Sequence, residues 1–154
     1  MNLVIYTDGG CSGNKRDAGC PGAWAYVVVD VGGNIIDKLS GREENVTNNQ
    51  MELKAVIMAL RHQVMDCGNG LVSIKVISDS RYVVDNYNEY IEEWEHRNWR
   101  KSTGGVVINV EFWKELRRLS KYFKSFTLEW VKGHSTNKLN QKVDEMVRSH
   151  LYKD

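Results

Sequence analysis

Short apolar runs, each closed by a polar or glycine-rich break, alternate along this chain with longer stretches whose apolar residues recur at helical spacing. The run Leu3-Val4-Ile5-Tyr6-Thr7 stops at Asp8 and gives way to a loop with three glycines, as a buried strand and its turn would. Ala23–Val29 reads as a second strand, Val31-Gly32-Gly33-Asn34 as a turn and Ile35–Ser40 as a third strand, a spacing that predicts an antiparallel meander. Thr47-Asn48-Asn49-Gln50 carries a capping box, with Thr47 as N-cap and Gln50 three residues on. The helix it opens, Met51 to about Met65, is apolar enough to be largely buried. Leu71–Ser78 is a fourth strand ending in Asp79, the same strand-then-aspartate pattern as the first.

From Ser80 the pattern turns helical, with Tyr82, Val83, Tyr87 and Tyr90 at helical spacing, and runs into the segment Trp94–Lys101 and the loop Ser102–Asn109. A helix from about Val110 to Tyr122 places Phe112, Trp113, Leu116 and Leu119 on one face. Phe126–Val131 is a fifth strand, Lys132–Asn140 a polar loop, and Gln141–Leu151 a closing helix with Val143, Met146, Val147 and His150 inward. The expected order is βββαβαααβα. The fold class is α/β: a five-stranded mixed sheet, three strands antiparallel and then two parallel, with helices on both faces.

Composition narrows the classes without choosing one. The 154 residues, 42% hydrophobic and 27% charged, suit a single domain over 1–154. No apolar run approaches a membrane span and no signal pattern opens the chain, so no membrane partner is expected. The three cysteines, Cys11, Cys20 and Cys67, form no C-x-x-C pair and are odd in number, which argues against a disulfide framework and for a reducing, cytoplasmic setting. A net charge of +1 means that a polyanionic partner would have to be held by local patches.

Chemistry enters through carboxylates. Asp8 and Asp79 close two apolar strands, and ligands of open α/β sheets bind outside such strand ends. Glu52 projects from an otherwise apolar helix, and Asp144 lies beside Val143 in the first turn of the last one. Singly each has a plain reading: Asp8 as a turn residue, Glu52 as an exposed residue or a partner of Lys54 or Arg61, Asp144 as a helix-dipole partner. Together, four acids beside apolar elements would repel one another unless a divalent cation lay between them. Oxygen ligands without clustered Cys or His point to a hard ion such as Mg²⁺.

Tyr6-Thr7-Asp8-Gly9-Gly10, Thr47-Asn48-Asn49-Gln50-Met51-Glu52-Leu53, Ser78-Asp79-Ser80-Arg81-Tyr82-Val83 and Val131-Lys132-Gly133-His134, with Asp144 ten residues later, resemble type 1 ribonuclease H in motif and order over essentially the whole chain. The resemblance implies a metal-dependent endonuclease that cuts the RNA strand of an RNA–DNA hybrid, leaving 3′-hydroxyl and 5′-phosphate ends and acting as a monomer. It makes Asp8, Glu52, Asp79 and Asp144 the catalytic and metal-binding acids, and His134 a loop histidine that handles protons and product release. Two Mg²⁺ ions, for which Mn²⁺ can substitute, would flank the scissile phosphate about 3.5–4 Å apart. The alternatives are an integrase-like nuclease cutting DNA, against which Glu52 and the Thr-Asn-Asn run argue, and a silent hybrid-binding module, against which the complete set of acids argues.

Distinguishing RNA from DNA means reading the 2′-hydroxyl across a wide, shallow minor groove. Amides donate and accept, and Asn14, Asn48 and Asn49 cluster beside Asp8 and Glu52; the resemblance gives them substrate contacts, along with Gly9, Cys11 and Asn140. Thr47 matches the family's phosphate-binding threonine, and Arg81 stands where the family usually has glutamine. Trp94 and Trp99, with Arg97, Arg100 and Lys101, fall in the region resembling the family's basic protrusion, though both indoles also suit plain packing. Glu92, Glu93 and Glu95 oppose those cations, and Gly104–Ile108 replaces lysines, so weaker and less salt-dependent duplex binding is expected. The helix bearing Lys114, Arg117, Arg118 and Lys121 reads as a solvated face.

Overall fold

A strand covered on both faces can show no polar side, and this governs the centre of the molecule. In the computed structural model, which describes residues 2–13, 19–67, 70–133 and 136–152, that strand is β1 (Asn2–Cys11). It pairs antiparallel with β2 (Cys20–Val29), which pairs antiparallel with β3 (Ile35–Val46). On its other side it runs parallel to β4 (Ser73–Ser78), and β5 (Ser125–Trp130) completes the sheet in the order β3-β2-β1-β4-β5. Leu3 and Ile5 enter one core and Val4 and Tyr6 the other, so the β1 sequence is a continuous apolar run rather than an alternation.

Helices cover both faces, as expected. On one side lie α1 (Asn48–Cys67), α2 (Arg81–His96) and α3 (Val110–Ser120), around a core that includes Met51, Leu60, Val83, Tyr87, Trp113 and Leu116. On the other lies α4 (Lys138–Leu151) alone, with Val143 and Val147 against Ala23, Ala25 and Val27. Met51, Leu53, Ala55, Val56, Ala59 and Leu60 of α1 are all 0% exposed, because the helix is wedged between the sheet and α3. Among the described residues no helix is long and apolar enough to cross a membrane.

Three expectations are corrected. Only two helices, α2 and α3, separate β4 from β5. The Trp94–Lys101 segment is instead the end of α2 followed by a turn: Asn98 and Trp99 take φ values of 57° and 64°, left-handed backbone that no right-handed helix continues through. Arg100 then bridges to Val106. Second, Cys11 and Cys20 form a disulfide with Cα atoms 5.8 Å apart. An odd number of cysteines leaves one over but does not prevent two from pairing. The β1–β2 register brings Cys11 opposite Gly22, within reach of the start of the next strand. Third, α4 starts before Gln141, because the Asn137 side chain caps it, accepting from the N–H groups of Leu139 at 2.9 Å and Asn140 at 3.1 Å. Asp144 is therefore in the second turn of α4, and Asn140 is inside the helix rather than in a loop.

Candidate active site

The acids meet where β1 ends. Gly9 has no side chain, and the Met51–Glu52 peptide of α1 presses into the space that a Cβ there would take; the Glu52 nitrogen would lie 2.5 Å from it. That close approach carries Glu52 to Asp8. Asp79, one residue past the end of β4, arrives through the parallel register that sets Thr7 opposite Ser78. Asp8, Glu52 and Asp79 offer carboxylate oxygens that all lie within 4.8 Å of one another. Asp8 and Glu52 are buried, at 7% and 8% exposure.

The charges are poorly compensated. Among the described residues no lysine or arginine pairs with these three acids; Lys54 pairs with Glu43 at 3.2 Å and Arg61 with Glu115 at 3.5 Å. Burial first, then the charges of Asp79 and Asp144, push the Asp8 carboxyl up to about 8. Glu52 is raised well above the ordinary carboxylate range by burial, then by Asp8 and Asp79. Asp79 is raised chiefly by burial as well, against hydrogen bonds from Glu52 and Asp8 that lower it. The Gly9 N–H bonds to both Asp8 and Glu52 and offsets only part of this. Glu52 Oε1 is buried with no hydrogen-bond partner. An orphaned oxygen amid three converging carboxylates fits a divalent cation of the hard, oxygen-seeking kind.

Asp144 is not within this cluster. It lines a groove of about 330 Å³ together with Asp8, Gly10, Cys11, Asn48, Arg148 and Tyr152 among others, and meets Arg148 at 4.0 Å. Its charge nonetheless reaches Asp8 and Asp79. The fourth acid thus shares the lining of this groove with Asp8. His134 and Asn14 lie outside the described residues; Gly133, just before His134, comes so near Asp79 that a Cβ there would sit 3.2 Å from its Oδ2.

With the carboxyls sharing protons, the metal-free folded state holds a proton on Asp8 that the unfolded chain releases near its ordinary 3.8. This group's contribution to stability is therefore full below about pH 4 and falls as pH rises toward 8. In chelator, the Tm is expected to decline between about pH 5 and about pH 8. Mg²⁺ should restore most at the alkaline end, where the ligands are already ionised. A Tm that climbs with pH in chelator would contradict this charge arrangement.

The chain matches the RNase H family model over residues 1–152. It is 41% identical over 154 residues to a ribonuclease H of Caldanaerobacter subterraneus subsp. tengcongensis, covering 98% of this chain and 92% of that one. The chain belongs to the ribonuclease H family. Among solved structures, it superimposes on LC9-RNase H1, a type 1 RNase H with the type 2 active-site motif, with a TM-score of 0.81 and 25% identity, over 99% of this chain and 74% of that one. LC11-RNase H1 in complex with an RNA/DNA hybrid shares the fold at a TM-score of 0.70 and 21% identity, over 96% and 94% of the two chains. Membership of the ribonuclease H family makes the chain a nuclease.

Around the acids of this ribonuclease H, side-chain hydrogen bonds join α1 to β1 and cap α1. The Asn48 Oδ1 accepts the Cys11 N–H at 2.9 Å, tying the start of α1 to the end of β1, while Asn49 is exposed. Thr47 and Gln50 close the capping box reciprocally, at 3.1 and 3.2 Å. Asn140 is buried, at 4% exposure. Thr47→Ala should cost about 1 kcal/mol of stability through the lost cap. If Thr47 also touches phosphate, hybrid affinity should fall by more than the unfolded fraction explains, which calorimetry and filter binding together would show.

Farther out, both indoles pack against the core while staying partly exposed. Trp94 stacks on Tyr90 with ring centroids 5.8 Å apart and meets Trp113 edge-on at 5.6 Å, and Trp99 packs against the same core. Beside Trp94, a groove of about 240 Å³ is lined by Asn86, Tyr90, Lys101, Ser102 and Thr103 among others. The charge pairing differs from the expected one. Glu93 takes Arg97 at 3.1 Å, but Glu95 turns to α3 and binds Arg117 at 3.3 Å and Lys121 at 2.7 Å. Lys114, Arg118 and Lys121 are exposed, as a solvated face requires, and each is paired with a protein carboxylate; Arg117 is the one drawn inward, between Glu95 and Tyr87. Trp130, which sequence reasoning treated only as a strand residue, lies against Asp79; an indole immediately before Val131-Lys132-Gly133 was the available signal.

Proposed function

We propose that the protein is an endonuclease hydrolysing the RNA strand of RNA–DNA hybrids to 3′-hydroxyl and 5′-phosphate ends, with divalent metal held by Asp8, Glu52, Asp79 and Asp144. The observation that carries this is the convergence of buried Asp8 and Glu52 with half-buried Asp79, without a paired lysine or arginine among the described residues, at the end of the central strand. Two Mg²⁺ ions, or Mn²⁺ in their place, would supply an activated water and neutralise charge on the scissile phosphate. Asp8 and Glu52, fixed by the Gly9 amide, and Asp79 would hold one side of that site; Asp144, lining the same groove as Asp8, would hold the other. Cys11 and Asn48 line the groove beside Asp8 and, with Asn49, would meet the RNA minor groove, with Thr47 on phosphate; the family resemblance adds Asn14 as a further contact. His134 would move protons at the leaving end. The enzyme would act in the cytoplasm, as a monomer.

The deciding experiment compares cleavage of labelled hybrid, duplex RNA and duplex DNA with Mg²⁺, with Mn²⁺ and with chelator. Hybrid alone should be cut, and only with metal present. Cleavage of duplex DNA, or of any substrate in chelator, would overturn the reading.

A further inference from the structure

Trp130, the last residue of β5, stands opposite Ser78 in the parallel register and donates its indole Nε1–H to the Asp79 backbone carbonyl at 3.1 Å. The same ring carries a cation: the Arg81 guanidinium carbon lies 3.8 Å from its centroid. Beyond this stack, among the described residues Arg81 has one ion-pair contact, to Asp85 at 3.8 Å, with side-chain exposures of 64% and 44%. Stacking occupies the flat face of a guanidinium and leaves its in-plane N–H donors pointing outward. An arginine at a helix start would ordinarily sample many rotamers; lying on the indole, it holds its charge in one place, on a ring bonded to the Asp79 peptide.

We propose that Trp130 is a positioning residue, which fixes the Arg81 guanidinium beside Asp79 as a contact to an RNA-strand phosphate flanking the cut bond; this rests on the hybrid-cleaving reading above. Arginine meets phosphate oxygens bidentately, which suits a fixed fork better than a mobile one. Because the indole is bonded to the Asp79 peptide, cation and acid keep their spacing when either shifts. Arg97, Arg117, Arg118 and Lys121, by contrast, are already paired with Glu93, Glu95 and Glu115.

The test uses the full chain, a labelled hybrid and four variants: Arg81→Gln, Trp130→Leu, Trp130→Phe and the Arg81→Gln/Trp130→Leu double. Each of the first two should raise KM about tenfold, the effect of one charge-assisted hydrogen bond, with kcat within about twofold. The double should be no worse than either single, because the indole acts through the guanidinium. Arg81→Gln should also flatten the salt dependence of log affinity by about 0.7–0.9, one phosphate contact. Trp130→Phe, which keeps a ring face, should retain most of the affinity. Unchanged KM, multiplying effects in the double, or a kcat loss matching that in kcat/KM would overturn the proposal. If the wild-type enzyme fails to cut hybrid, the functional reading itself falls; if it cuts hybrid and Arg81→Gln leaves KM unaltered, only this inference does.

Discussion

Asp8→Asn is expected to lower metal-dependent cleavage by at least about three orders of magnitude while leaving hybrid binding largely intact. Metal-ion catalysis contributes several kcal/mol of charge stabilisation at the transition state, and each 1.4 kcal/mol or so is a factor of ten. Asn keeps the shape and the Gly9 N–H acceptor but cannot ligate as an anion. The same variant makes a stability prediction of opposite sign. In metal-free protein the amide resembles the protonated acid, so the decline of Tm toward pH 8 should flatten where the wild type, with its Asp8 carboxyl at about 8, continues to fall. Single-turnover cleavage and thermal unfolding in chelator check the two halves. A variant that cuts hybrid at the wild-type rate would remove Asp8 from the site.

Gly9→Ala should be the most damaging small change in the chain. A methyl there would overlap the Met51 carbonyl group and lie 2.5 Å from the Glu52 nitrogen, all of it backbone of a helix that is itself wedged in the core. No rotamer relieves that overlap; α1 must lift from β1. Overpacking of this kind costs about 3 kcal/mol or more. The shift moves Glu52 away from Asp8, so the activity of the folded fraction should fall too. Gly10→Ala is the matched control for folding. Its Cβ would meet Asn48 Oδ1 and Val147 at 3.6 Å, ordinary contact, and stability should change by under about 1 kcal/mol. Urea unfolding of the two variants separates them; equal midpoints would refute the packing argument.

What could be read from the chain alone depended on how local the signal was. The meander, the buried first helix and the Thr47 capping box are encoded within a few residues each and stand as expected. The three converging acids were legible because two of them end apolar strands and the third interrupts an apolar helix. The misreadings share a cause. Whether Trp94–Lys101 forms another helix depends on two left-handed residues, Asn98 and Trp99, and an indole gives no hint of positive φ. The Cys11–Cys20 bridge depends on a hairpin register, and the count of cysteines carries no such information. The choice of Glu95 for Arg117 and Lys121 needs the packing of α2 against α3. The Arg81–Trp130 stack likewise joins residues far apart in sequence.

The position of β1 at the middle of the sheet sets the order in which function can appear as the chain folds. Its pairing with β2 is a local hairpin, quick to close, whereas its pairing with β4 closes a loop that contains β2, β3 and α1. Contacts between segments distant along the chain carry the larger closure entropy and form late. Asp8, Glu52 and Asp79 can therefore meet only after the slowest pairing is made, and their mutual repulsion is deferred to that point. A partly folded chain holds the acids apart and should show neither nuclease activity nor the metal-dependent gain in stability. In native-state hydrogen exchange, the β1–β4 amides should become protected at the same stage as metal binding, and the β1–β2 amides before it.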